Sequence, residues 1–180
     1  MQRVMITGGP GSGKSTLARA LGQITGLPVH HMDHIHWKSG WIERDSAEKS
    51  ALTHAVHIQD RWIFEGGHSR TYPERVFRAD TFIWLDLPVT LRLARVLRRS
   101  LRYRGQTRPD LPEGCLEQIN GQTLEFIAFI WRTRKTARAK LAAIADAPPP
   151  HLTVIHLTSQ TQINRWLTAL HRIPPVPQGR

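Results

Sequence analysis

Residues Gly8 to Ser15, GGPGSGKS, satisfy the spacing G-x-x-x-x-G-K-[ST] at every required position, with Gly8, Gly13, Lys14 and Ser15 in the four defining places. The flanks constrain the fold as much as the motif does. Arg3-Val4-Met5-Ile6-Thr7 reads as a short buried strand, and Ser15 to Ile24 reads as a helix. Strand, glycine loop and helix in that order aim backbone N–H groups and a positive helix end at a polyphosphate. Glycines let the main chain approach phosphate oxygens closely because no Cβ intervenes. Lys14 would bring a mobile charge to the β- and γ-phosphates, and the Ser15 hydroxyl would ligate Mg²⁺.

The remaining pattern extends that unit. Apolar runs at Gln2–Thr7, Pro28–Met32, Trp62–Glu65, Thr81–Asp86 and Leu152–Leu157 predict five strands. Amphipathic stretches at Lys14–Ile24, Arg44–Gln59, Tyr72–Phe77, Pro88–Tyr103, Leu116–Ile144 and Gln160–Leu170 predict the helices between and after them. Such alternation predicts an α/β fold, a three-layer α/β/α sandwich around a five-stranded parallel sheet. At 180 residues the chain is expected to form one domain over 1–172, with a disordered tail over 173–180. Arg104–Gly114 is a polar loop with Gly105, Pro109 and Pro112 between basic helices, so a mobile lid is expected around 99–115.

Composition narrows the setting. No apolar run approaches the roughly 20 residues of a membrane helix. The chain enters its first strand at once and Cys115 is its only cysteine, so the expectation is a cytoplasmic protein with neither signal peptide nor internal disulfide. The 25 Lys and Arg against 14 Asp and Glu give a net charge of +11, and Arg92–Lys140 alone carries 12 basic and four acidic residues. A field of that sign attracts nucleotides and nucleic acid alike.

In an open parallel sheet, ligands bind beyond the carboxyl ends of the strands. Those ends carry Asp33 with His34-Ile35-His36-Trp37, Glu65-Gly66-Gly67-His68-Ser69-Arg70, and Asp86 before Pro88. Asp33, Glu65 and Asp86 are therefore expected to converge on the triphosphate. Glu65 is the candidate for the metal side with Ser15, the alternative being a structural salt bridge. Asp33 is the candidate partner and base for the acceptor hydroxyl, the alternative being a turn cap. For Asp86, capping of the following helix is the favoured role. Gly66 and Gly67 either make a tight turn or admit a substrate to the backbone, and Arg70 and Arg75 could grip an acceptor phosphate or carboxylate. Trp37 is a candidate groove wall and Met32 is expected in the core. Arg92, Arg95, Arg99 and Arg102 share one helical face, from which Arg95 and Arg99 are the candidates to neutralise the transferring phosphoryl group. The run His30-His31-Met32-Asp33-His34-Ile35-His36 lacks a companion cluster, so a transition-metal site is not favoured.

Together these residues resemble the P-loop kinases of the adenylate kinase-like group, and within it the topology modulation (FlaR-type) proteins. The resemblance rests on GGPGSGKST, HMDHIHWKSGW, RWIFEGGHS, RADTFIWLDLP and TRPDLPEGCLE, and runs from about Val4 to Leu170. It implies ATP with Mg²⁺ and γ-phosphoryl transfer to a small acceptor. It also implies a phosphate loop formed by Gly8, Gly9, Pro10, Gly11, Ser12, Gly13, Lys14, Ser15 and Thr16, and lid arginines within Arg92–Arg108. The chain has Glu65-Gly66-Gly67-His68 where adenylate kinases carry an aspartate followed by Gly-Phe-Pro-Arg, which looks more like shikimate- or gluconate-type kinases. The competing expectation is an ATP-binding regulatory protein associated with DNA, motivated by the basic span. Nothing in the sequence specifies an oligomeric state.

Overall fold

Val4-Met5-Ile6, Trp62-Ile63-Phe64 and Phe82-Ile83 are wholly shielded from solvent, as strands covered on both faces must be. In the computed structural model, which describes residues 1–171, they form the centre of a parallel sheet. The elements in chain order are β1 (Arg3–Gly8), α1 (Lys14–Thr25), β2 (Val29–His31), α2 (Met32–His36), β3 (Trp37–Lys38), β4 (Ile42–Glu43), α3 (Ser46–His57), β5 (Trp62–Glu65), α4 (Tyr72–Arg78), β6 (Thr81–Leu85), α5 (Val89–Arg102), α6 (Gly121–Asp146), β7 (Thr153–Leu157) and α7 (Gln160–His171). The five-stranded sheet runs β2-β5-β1-β6-β7, all parallel, and β3 pairs with β4 as a separate antiparallel ribbon. The tail expected to be disordered lies outside the described residues.

Alternation along the strands makes two cores. Val4, Ile6, Ile63, Ile83 and Leu85 face α1 and α7, where they meet Leu17, Leu21 and Ile163. Met5, Trp62, Phe64, Phe82 and Trp84 face the other way, toward Val56 of α3, Val76 of α4 and Leu141 of α6. Period-two alternation on a strand buried from both sides yields this three-layer sandwich. No helix among the described residues is long and apolar enough to cross a membrane.

The structure revises the expected elements at three places. The segment after β2 holds the five-residue α2 and the β3–β4 ribbon, neither of which the apolar pattern announces. Helix α3 starts at Ser46, two residues later than expected, because the Asp45 carboxylate accepts from the Glu48 N–H at 2.8 Å. Helix α6 starts at Gly121, since Asn120 and Thr123 form a reciprocal cap there. Residues 116 and 117 instead bridge back to Thr107 and Arg104.

Candidate active site

The loop between β1 and α1 is crowded from behind by α5. Gly11 has φ +78°, and a Cβ on it would lie 2.3 Å from the Arg92 carbonyl oxygen; one on Gly9 would strike the Arg92 guanidinium. Arg92 is 8% exposed. Its Nε donates to the Leu87 carbonyl at 3.1 Å and its Nη1 to that of Pro10 at 3.4 Å. The expectation that Arg92 belongs to a face turned toward the phosphates is corrected: it is a buttress under the loop. On the other side of the loop, Ser12 is fully buried with its hydroxyl unpartnered, and no side chain caps the N-terminus of α1. The first-turn N–H groups of that helix are therefore unsatisfied by side chains. Lys14 folds back so that Nζ lies 3.4 Å from the Gly9 carbonyl, while Thr16 at the loop's end is exposed.

Facing the loop are acids from three elements. Glu65 ends β5 beside His31 of β2, and the His31 Nδ1 to Glu65 Oε1 distance is 2.7 Å. Burial raises the Glu65 pKa, but the His31 hydrogen bond, the Lys14 charge and the Ser15 hydroxyl outweigh it and hold the group below its ordinary value. Asp33 stands in the first turn of α2. Burial raises its pKa first and the neighbouring Glu65 charge raises it further, against the opposing charges of Lys14 and Arg108. The third acid is Asp110, whose Oδ2 lies 3.5 Å from Ser15 Oγ. Asp86 is not part of this group. It accepts from Arg138 Nε at 3.1 and 3.0 Å and lies 3.2 Å from His156 Nε2, and α5 has no side-chain cap, so neither convergence nor capping is its role.

Asp110 arrives on the segment expected as a lid, which is docked. Arg108, 6% exposed, reaches Asp110 at 3.1 Å and Glu117 at 2.7 Å. Trp41 Nε1 donates to the Leu116 carbonyl at 2.8 Å, and Cys115 Sγ donates to the Lys38 carbonyl at 3.4 Å. The segment thus spans from Ser15 to the β3–β4 ribbon. Arg99 Nε lies 4.0 Å from Glu117, and burial, then the Arg108 charge, lowers its pKa while Asp110 and Asp33 pull the other way. Arg95 borders Gly13 and donates to Gln160 of α7 at 2.8 Å. Arg102 is exposed over the Tyr103 ring.

The remaining candidates divide. Gly66 has φ +115°, and a Cβ there would fall 2.5 Å from Met32 Cβ, so this glycine exists to let α2 close on the end of β5. Gly67 is exposed. Arg75 is wholly buried: it donates to the Gly66 carbonyl at 2.8 Å and to Thr71 Oγ1 at 3.2 Å, lies 3.3 Å from His57 Nε2, and stacks 4.1 Å from the Phe64 ring centroid. Burial lowers its pKa to about 10. The expectation that Arg75 grips an acceptor is corrected, because no face of its guanidinium is open. Arg70, by contrast, is exposed and donates to Ser46 Oγ. Trp37 is half-buried, edge-on to His36 at 4.5 Å and Trp41 at 5.3 Å. Asp110 was visible in the sequence only as an acid between Pro109 and Pro112, Arg108 as the last of the basic residues leading to it, and His31 as one of four histidines in the run His30–His36; their pairing is tertiary.

The AAA domain family matches residues 4–108. Among solved structures, a shikimate kinase from Acinetobacter baumannii in complex with shikimate superposes with a TM-score of 0.54 at 15% identity, covering 94% of this chain and 91% of that one. A shikimate kinase from Bacteroides thetaiotaomicron gives 0.55 at 20% identity, with 94% and 95% covered. A sugar kinase from a Janibacter species gives 0.52 at 17% identity, with 97% and 96% covered. At these identities the likeness is one of fold. No curated protein sequence matches the chain.

Proposed function

This chain belongs to the AAA domain family, and we propose that it is an ATP-dependent phosphotransferase that moves the γ-phosphoryl group to a small hydroxyl-bearing acceptor. One observation carries the reading: Lys14 and Ser15 stand at the mouth of a backbone loop with Asp33, Glu65 and Asp110 grouped around them. A nucleotide-binding scaffold without chemistry has no use for that grouping of acids. The kinase neighbours in the same fold support the reading by analogy.

The loop residues suit a triphosphate. The unpartnered Ser12 hydroxyl and the uncapped helix end supply donors, and Lys14 supplies charge. Ser15 and Glu65 are the residues to hold Mg²⁺. Among the described residues no three His, Cys, Asp or Glu side chains form a metal cage of their own, which fits an ion that would be carried in with the nucleotide. Bound there, the ion would neutralise charge on the transferring group. Asp33 accepts the hydrogen bond of the acceptor hydroxyl and takes its proton as the oxygen–phosphorus bond forms and ADP leaves. A carboxylate whose pKa is raised is the better base for that step. Arg99 and Arg95 flank the same region and offset charge on the phosphoryl oxygens.

The test is acceptor-dependent ADP release across a panel of nucleosides, nucleoside monophosphates and hydroxy metabolites. Lys14→Ala should remove turnover by about a hundredfold or more while leaving the melting temperature near that of the parent. Turnover surviving in Lys14→Ala would refute the assignment.

A second reading follows the resemblance to topology modulation proteins, in which the chain binds ATP and associates with DNA. It is favoured by α6, which leaves Phe126, Phe129 and Trp131 exposed among Arg132, Arg134 and Lys135, with the Arg134 guanidinium 4.0 Å from the Trp131 ring centroid. Binding to DNA with a steep salt dependence, altered by ATP, would support it; no binding at low salt would end it.

A further inference from the structure

Around the end of α2 and the first turns of α3 stands a second cluster, this one rich in basic side chains. Lys49 of α3 is 7% exposed and its Nζ lies 2.6 Å from Glu43 Oε1. His36, at the end of α2, is 3.6 Å from the same Glu43 oxygen. Arg70, in the turn after β5, spans to the first residue of α3 by donating to Ser46 Oγ. Among the described residues no carboxylate lies within ion-pair distance of Arg70; its partner is a neutral hydroxyl. Between these groups is His68, three residues beyond Glu65, with its Nε2 buried and without a hydrogen-bond partner. Burial first, and then the charges of Lys49, Arg75, His36 and Arg70, lower the His68 pKa. Asp33 is the neighbour that links the two clusters, since its charge acts on His36.

This arrangement discriminates among acceptors. Glu43 is the acid within ion-pair distance of Lys49 and His36, which leaves Arg70 as the cation of the cluster that has no carboxylate partner among the described residues. A neutral polyol entering here leaves Arg70 without a counter-charge. An anion would give Arg70 the charge-assisted hydrogen bonds that a neutral group cannot match. Resting on the kinase reading of the site, we infer that the acceptor is itself an anion, a hydroxyl compound whose carboxylate or phosphate sits among Arg70, Lys49 and His68 while its hydroxyl faces Asp33.

The experiment is calorimetric titration of the full chain, saturated with Mg²⁺ and a non-hydrolysable ATP analogue. The probes are matched pairs: gluconate and sorbitol, glycerol 3-phosphate and glycerol, adenosine monophosphate and adenosine, with inorganic phosphate alone as reference. At least one anionic member should bind at least about tenfold more tightly than its uncharged counterpart. Arg70→Ala should loosen it by about ten- to a hundredfold, and His68→Gln by less, with affinity for the ATP analogue unchanged. Preference for gluconate alone would mark the anion as a carboxylate, and preference for the phosphates would mark it as a phosphate. Equal binding of charged and uncharged members, no binding of any anion, or an Arg70→Ala variant that binds as the parent does would overturn the inference. Titration of the ATP analogue by itself separates the two claims. If it fails to bind, the kinase reading falls; if it binds and the anions do not, only the acceptor assignment falls.

Discussion

The phosphate loop and the docked segment 104–117 meet where Asp110 approaches Ser15, yet different forces hold them. The loop is nine consecutive residues shaped by main-chain geometry, with α5 pressed so closely behind it that Gly11 has no room for a methyl group. The segment is held by side chains: Arg108 between Asp110 and Glu117, Trp41 on the Leu116 carbonyl and Cys115 on the Lys38 carbonyl. A main-chain cradle is indifferent to solution conditions but intolerant of a single carbon atom. An ion-paired cover tolerates shape changes but depends on every charge being present. On the proposed reading, the first suits the triphosphate and the second suits a cover that opens for the acceptor.

The sharpest way to break this contrast is Gly11→Ala. A Cβ 2.3 Å from the Arg92 carbonyl, at a φ that L residues rarely adopt, should cost about 2 kcal/mol or more of stability. Binding of an ATP analogue should weaken by about a hundredfold, and calorimetry together with thermal melts would show both effects. If the variant binds nucleotide as the parent does, the loop is not held by its crowding. Arg108→Gln probes the other side. Removing the cation leaves Asp110 and Glu117 shielded without their partner, so the segment should lift and kcat/KM should fall by about tenfold, with affinity for the ATP analogue little changed. Equal losses in both quantities would erase the distinction between cradle and cover.

The smallest expected shift in stability concerns pH and the acids between the two regions. Because the folded-state pKa of Asp33 is raised, folding favours its protonated form, and the group detracts from stability above that pKa. Asp33→Asn should therefore melt slightly higher than the parent at pH 7, with the gain vanishing as pH falls through the carboxylate range, while kcat drops by about a hundredfold. Glu65 has the opposite sign. Its lowered folded pKa contributes stability above the unfolded value that is lost as pH falls through the folded one. A melting curve for Asp33→Asn below that of the parent at neutral pH would contradict the burial argument.

The parts legible in the sequence were those whose physics is local. GGPGSGKS specifies its loop in consecutive residues, and the buried strands betray themselves because Val4-Met5-Ile6 and Phe82-Ile83-Trp84 have no polar face to offer. Glu65 and Asp33 were legible as strand-end acids by position. The rest depends on encounters across the chain. Helix α2 is too short to show a period, and is held by Met32 pressing on Gly66, 34 residues away. Nothing in an arginine's own neighbourhood tells a buried Arg75 from an exposed Arg70; the difference lies in whether Phe64, His57 and Thr71 close over it. Asp86 was misplaced for the same reason, since Arg138 and His156, which capture it, lie 52 and 70 residues further on. Asp110 touches Ser15 across 95 residues, a distance over which neither charge nor spacing carries information.

Arg92 couples a turn that contains no side chain of its own at Gly9 and Gly11 to a fourteen-residue rod. With its guanidinium wedged against one glycine and its carbonyl against the other, slack between rod and turn is absent. A displacement of α5 toward the loop therefore cannot be absorbed between them and has to move the backbone at Gly9 and Gly11 as well.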